Sequence, residues 1–271
     1  MQSFKLATWN ANSIRIRIDE LKALCDLANP DIVCLQEIKA KPEDFPYAEI
    51  KALGFEHIAV YGQPAYNGVA IISKISLTEE TKHDWVGKHD ARHISAKIFD
   101  DIEINNIYIP AGGDIPDPIE NLSFAHKLCF MDDISEYYEQ HKPEFLAKKM
   151  LLCGDFNVAP SENDVWNHKQ LLKIVSHTPV EVGRLERMFK SLDFVDAVRK
   201  FYPEPQKIFS WWSYRNPNWQ TNDKGRRLDH IWVTPNLQNR LSGAQILKEL
   251  RSSDRPSDHV PVVVEIATAV K

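Results

Sequence analysis

The chain has 271 residues, 43% of them hydrophobic and 26% charged, and a net charge of −5. That composition is long and apolar enough for a large buried core, and it excludes a fibrous or disordered chain. The charge excludes a surface coated throughout in phosphate-binding lysines, but not a nucleic-acid partner, because carboxylates of a metal site add negative charge of their own.

In chain order, strand-like runs alternate with helical ones, with no repeat, low-complexity segment or linker, so the expectation is one domain over 1–271. Phe4 to Asn10 reads as a strand. Leu21, Leu24, Cys25 and Ala28 give Ile18 to Ala28 helical spacing, which Asn29-Pro30 ends; Asp31 to Gln36 follows as a second strand. Further strands are predicted at His57 to Tyr61, Gly68 to Ser73, His93 to Phe99 and Ile102 to Ile109, with connections short enough for antiparallel pairing and a mixed sheet. Asp117-Pro118-Ile119-Glu120 has the pattern of a helix start, cap then proline, with the helix running towards Tyr138. A helix around Gly183 to Leu192 and strands at Leu228 to Val233, Ala244 to Leu247 and Val260 to Ile266 close the chain. The four cysteines, Cys25, Cys34, Cys129 and Cys153, show no Cys-x-x-Cys spacing, and three lie in apolar patterns. With no leader-type amino terminus and no run long enough for a bilayer, the expectation is a cytoplasmic protein with no membrane partner.

The chemistry gathers where these strands end. The apolar run Met150 to Cys153 stops at Gly154-Asp155-Phe156-Asn157, and residues two apart on a strand share a side, so Asp155 and Asn157 are expected to project together. A carboxylate beside a carboxamide suits a hydrated divalent cation or a phosphate. Asn10 and Glu37 end the first two strands in the same way. Leu228-Asp229-His230 and Ser257-Asp258-His259 open two late strands, and a carboxylate on one ring nitrogen of a histidine frees the other for a substrate. On spacing alone, either Asp229 or Asp258 fits that part.

Taken together and in order, Thr8-Trp9-Asn10-Ala11-Asn12-Ser13, Cys34-Leu35-Gln36-Glu37-Ile38-Lys39, Asn106-Ile107-Tyr108-Ile109-Pro110, Gly154-Asp155-Phe156-Asn157, Phe209-Ser210-Trp211-Trp212-Ser213-Tyr214, Gly225-Arg226-Arg227-Leu228-Asp229 and Ser257-Asp258-His259 resemble the motif series of the exonuclease III family of abasic-site endonucleases. The resemblance spans nearly the whole chain. It implies a DNase I-like four-layer α/β sandwich, two packed mixed β-sheets flanked by helices. It also implies Mg²⁺-dependent hydrolysis of DNA phosphodiesters, with Mn²⁺ as a substitute. The expected partner is double-stranded DNA with abasic sites or 3′ ends, and the expected state a monomer.

Position by position, the resemblance gives Glu37 as principal metal ligand, with Asn10 supporting the metal or its waters. Asp155 positions or deprotonates the attacking water, and Asn157 holds a phosphate oxygen; both stand near the metal. His259, oriented by Asp229, contacts the scissile phosphate and stands with the metal residues, Asp258 is a second metal contact, and Tyr108 lies at the phosphate or leaving oxygen. Trp211 and Leu228 wall a pocket for a baseless sugar, Trp212 packs behind, and Arg15, Lys39, Arg226 and Arg227 grip backbone phosphates. Such a set answers the charge of a phosphodiester, which repels attack until cations and donors offset it. Two departures stand out: Ser13-Ile14-Arg15 replaces the family's usual Gly-Leu-Arg, and Ala111-Gly112-Gly113 replaces the amide-bearing residue after Tyr-x-Pro. The same fold also serves DNase I and phosphatases, and a non-catalytic DNA-binding member is a further alternative. The stretch Trp211 to Asp229 with its basic Arg226-Arg227 favours the repair branch, and the intact polar set argues against loss of catalysis.

Overall fold

The computed structural model describes residues 3–216 and 218–268. These residues form twelve strands: β1 Ser3–Asn10, β2 Ile32–Gln36, β3 His57–Tyr61, β4 Val69–Ser73, β5 Thr78–His83, β6 His93–Ile98, β7 Ile102–Tyr108, β8 Lys149–Asp155, β9 Val195–Asp196, β10 Asp229–Val233, β11 Leu241–Ile246 and β12 Val262–Ala267. They assort into two six-stranded sheets, ordered β11-β12-β1-β2-β4-β3 and β5-β6-β7-β8-β10-β9. In each sheet a parallel pair sits at the centre, β1 with β2 and β7 with β8, and antiparallel strands flank it. Helices α1 (Ile18–Ala28) and α2 (Tyr47–Ala52) belong to the first half of the chain. Helices α3 (Leu122–Gln140), α4 (Lys142–Ala147), α5 (His168–Leu171), α6 (Pro179–Ser191) and α7 (Trp219–Asn222) belong to the second. The four-layer sandwich expected from the sequence is the architecture observed.

Side chains alternate across each strand, so every central strand has one face towards the opposite sheet and one towards helices. Leu6, Ile32, Cys34, Ile104, Leu151, Cys153, Ile231 and Val264 meet between the sheets. The intervening Ala7, Val33 and Leu35 pack with Leu21 and Leu24 of α1, and Ile107, Met150, Leu152 and Trp232 pack with α3 and α6. Each fully buried aliphatic side chain contributes about 1.5–3 kcal/mol by leaving water. At one end the inward face changes character. A buried layer of Thr8, Gln36 and Asn106 comes first: Gln36 Nε2 donates to Thr8 Oγ1 (3.0 Å) and Asn106 Oδ1 (2.7 Å), and Asn106 Nδ2 donates to the carbonyls of Leu35 and Ala70. The amide nitrogens there are paired, as burial requires, while Gln36 Oε1 has no hydrogen-bond partner among the described residues. The next inward positions are Asn10, Tyr108, Asp155 and Asp229.

Three differences from the expected elements have local causes. The helix expected from Asp117 begins at Leu122, because Asp117 Oδ1 closes a turn onto the backbone of Ile119 and Glu120, while Asn121 accepts from Ser123 and Phe124 as the true cap. Strand β5 was not expected; it is an edge strand of exposed polar residues with no apolar alternation to signal it. The four strands expected as one neighbourhood divide between the sheets, β3 with β4 and β6 with β7. Among the described residues no helix is long and apolar enough to cross a membrane.

Candidate active site

The carboxyl ends of the two parallel pairs face one another across the sandwich, and the site is the set of contacts that crosses between them. Asn10, last in β1, donates through Nδ2 to Asp155 Oδ2 (2.9 Å) at the end of β8 and to Glu37 Oε1 (3.2 Å) after β2. Tyr108, last in β7, donates its hydroxyl back to Glu37 Oε1 at 2.5 Å. Asn157 lies past the strand in a left-handed turn (φ 53°), so it meets Asp155 through the turn and not through strand periodicity. Its backbone N–H donates to Asp155 Oδ1 (2.9 Å), and its Nδ2 donates to Ile109 O (2.9 Å) and Asp155 Oδ2 (3.2 Å). Gly154 makes the approach possible: at φ 146° a Cβ there would lie 1.8 Å from the Ile107 carbonyl oxygen.

His259 arrives from the loop before β12. Ser257 fixes that loop by donating Oγ to the Asn10 carbonyl (2.7 Å) and accepting from His259 N (3.2 Å), while Glu20 of α1 accepts from Ser257 N (3.1 Å). The ring meets Asp229 Oδ2 through Nδ1 at 2.8 Å and lies 3.6 Å from Asp155 Oδ2 through Nε2. Of the two aspartates that spacing left open, Asp229 is therefore the one on the imidazole. Asp258 instead accepts from Trp211 Nε1 (2.9 Å) and Asn12 Nδ2 (3.2 Å).

Electrostatics sort these groups into acids and bases. Burial by itself lowers the His259 pKa, but Asp229 and Asp155 outweigh it and leave the ring raised to about 10, an imidazolium at neutral pH. Burial pushes Asp155 up to about 7, with His259 opposing and Asp229 adding, so one proton is shared along the row. Burial also acts to raise Glu37, yet the Tyr108 hydroxyl, Lys39 and Asn10 hold it below its ordinary value, and it is ionised. Tyr108 is pushed well up by burial and by Glu37 and Asp155, and stays a neutral donor.

Ligand atoms of Asp155, Asp229 and His259 lie within 4.8 Å of one another. His259 meets a carboxylate through each ring nitrogen and completes a row with Asp229 and Asp155. The carboxylates do fit a cation. Asp229 Oδ1 is buried without a hydrogen-bond partner among the described residues, and Lys39 Nζ lies 3.0 Å from Glu37 Oε2 and 2.6 Å from Asn12 Oδ1, already setting one positive charge there.

A cavity of about 610 Å³ opens from Glu37, Asp155, Asn157 and His259 to Trp211, Leu228 and Arg226, with Trp166, Ile174 and Lys224 beyond. Trp212 is fully buried against Phe209 and Trp219. Arg226 lies over the Trp211 ring at 5.1 Å and donates to Val175 O and Ser176 Oγ. Arg15 is exposed. Arg227 departs from expectation: it is 3% exposed, bound by Asp164 and Asp196, and out of reach of a DNA backbone. Trp166, carrying the Lys224 ammonium 4.8 Å over its ring, escaped sequence reading because no motif surrounds it.

Two mixed sheets packed face to face, with carboxylates, an imidazole and amides where their central parallel strands end, define a hydrolase of the DNase I-like class. The chain belongs to the endonuclease/exonuclease/phosphatase family, whose profile matches residues 7–259, and within it is similar to exodeoxyribonuclease III and AP endonucleases. It is 30% identical to exodeoxyribonuclease III of Haemophilus influenzae, over 96% of this chain and 99% of that protein. An AP endonuclease from Archaeoglobus fulgidus superposes with a TM-score of 0.88 at 29% identity, covering 98% of this chain and 100% of the other. The 3′ phosphatase NExo from Neisseria, solved bound to product DNA hairpin, superposes at 0.87 with 29% identity, covering 97% and 99%.

Proposed function

We propose that the protein is a metal-dependent DNA repair nuclease of one domain, residues 1–271, acting as a cytoplasmic monomer. It hydrolyses the phosphodiester 5′ to an abasic site and removes nucleotides or blocking groups from 3′ ends of duplex DNA. The single observation that carries this reading is the row Asp229–His259–Asp155 opening onto the cavity that Trp211 and Leu228 wall. The apolar wall of Trp211 and Leu228 suits the face of a sugar that has lost its base, and extrusion is cheapest where no base is stacked.

The residues take complementary parts. Asp155, its basicity raised by burial, accepts a proton from the attacking water, and Asn157 steadies both its oxygens while adding an amide near the phosphate. The His259 imidazolium, fixed by Asp229, donates to a phosphoryl oxygen as charge builds there. Tyr108 donates a hydrogen bond to Glu37 or to an oxygen of the phosphate. Glu37, Asn10 and Asp155 would hold Mg²⁺, or Mn²⁺ in its place, with Asp258 at the margin; the ion supplies Lewis-acid neutralisation of the phosphodiester. Lys39 beside Glu37, Arg226 on the cavity wall and exposed Arg15 contact flanking phosphates.

The test is a duplex carrying one abasic analogue, incubated with Mg²⁺ or with chelator and resolved by product length. Incision on the 5′ side of the lesion that depends on the ion is expected. An intact duplex under both conditions would remove the reading.

A further inference from the structure

Behind the site, helix α3 carries a lysine where its apolar face predicts a hydrophobe. Lys127 is fully buried, in register with Phe124, Leu128 and Met131. Its ammonium donates to Asn157 O (2.8 Å), Ala111 O (3.3 Å) and Glu181 Oε1 (2.5 Å), and Glu181, in the first turn of α6, is fully buried as well. Such a pair adds little net stability, because desolvating two charges offsets most of their attraction. Its placement gives it a use. The carbonyl that Lys127 holds belongs to Asn157, whose N–H and Nδ2 hold the two oxygens of Asp155. Glu181 in turn accepts from Ser176 N, and Ser176 Oγ receives Arg226 on the cavity wall.

We infer that Lys127 and Glu181 are positioning residues, a buried ion pair that locks the Asn157 turn and the Ala111 loop and so sets the aim of Asp155. The inference rests on the nuclease reading above. It also accounts for Ala111-Gly112-Gly113. Gly112, at φ 88°, lies against the Lys127 stem, and a Cβ there would approach Lys127 Cδ to 2.9 Å, so the loop closes over the lysine only with glycine at that place. The amide that relatives carry after Tyr-x-Pro is replaced here by a loop fastened from beneath.

The test is the double variant Lys127→Met/Glu181→Gln, which removes both charges together and leaves no unpaired buried ion. Its readouts are melting temperature, duplex affinity and single-turnover incision of the abasic duplex across pH. A folded variant with duplex affinity within about 3-fold of the parent and incision slowed about 100-fold is expected, since misaiming a catalytic group by about 1 Å costs that much. Incision within about 3-fold of the parent, or incision and affinity falling by one factor, overturns the inference. If the double variant does not fold, Gly112→Ala, which presses on the lysine stem without touching a reacting group, is read by the same two criteria. Failure of the parent itself to incise would count against the nuclease reading, and so is separable from failure of the lock.

Discussion

Two buried charge clusters lie two residues apart on one segment, around Arg227 and around Asp229, and they are built on opposite plans. The Arg227 guanidinium meets Asp164 Oδ1 (2.8 Å) and Oδ2 (3.1 Å) and Asp196 Oδ2 (2.6 Å), while Arg199 adds a contact to Asp164. Its charges satisfy one another, two guanidiniums against two carboxylates. The Asp229 cluster is left open. Two carboxylates share one imidazole, one Asp229 oxygen lacks a partner among the described residues, and the row ends on a cavity. The contrast teaches that burial and pairing alone do not mark a reactive site; a row of titratable groups that ends on a cavity does.

The largest expected effect comes from emptying the open site. Glu37→Ala removes the carboxylate that best fits a cation and should lower incision in Mg²⁺ by roughly 1000-fold or more, with no loss of melting temperature. Full activity of that variant would refute the cation assignment. Next, Asp229→Asn, His259→Ala and their combination should show losses that do not multiply, because the two act as a unit; independent losses would dissolve the row. The closed cluster should respond in the other currency. Arg227→Met leaves Asp196 without its cation and buried Asp164 with Arg199 alone, and should cost about 3–5 kcal/mol in denaturant unfolding, while incision per folded molecule persists in the cold. Lost incision at full stability would mean that Arg227 belongs to the site after all.

Titration sharpens the comparison further. With Asp155 raised to about 7 and His259 to about 10, incision should rise with pH through the first value and fall through the second, as the base gains and the acid loses its working form. The sign for stability follows the histidine: its contribution is fully present below the unfolded value near 6.5 and is lost as pH rises through about 10. Asp229→Asn removes the largest upward influence on the ring and should bring the basic limb down in pH; an unmoved limb would assign it to another group. The smallest effect is expected at Trp211→Ala, about 10-fold on incision at an abasic site and less on removal of ordinary 3′ nucleotides. Both activities falling together with the melting temperature would return Trp211 to the core.

Much of this was legible in the chain, for physical reasons that differ by element. Helix α1 and strand β3 have the bounds expected, and in α1 the buried Leu21, Leu24 and Ala28 follow the 3.6-residue period. The motif-bearing strand ends were legible because apolar runs that stop on Asn, Asp or Glu are conspicuous. Strand β5 was not, since an exposed edge strand has no apolar face to advertise it. Arg227 resembled Arg226 beside it, and only tertiary placement shows one on the cavity and the other sealed beneath. Lys127 did carry a signal, a cation at a core position of an amphipathic helix, and Thr178-Pro179-Val180-Glu181 was a readable capping box. What the sequence could not say is that the two would meet.

Each defining contact of the site joins the two sheets: Asn10 to Asp155, Tyr108 to Glu37, His259 to Asp229. Neither sheet holds a complete set, so the reacting groups work as a vernier between two rulers. A slip of one sheet over the other by a fraction of an ångström leaves the apolar interior nearly as well filled, yet separates donors from acceptors whose distances have little tolerance. Catalysis in such a molecule fails by loss of alignment before it fails by unfolding, and warming should dim turnover at temperatures where the far-ultraviolet signature of both sheets is still whole.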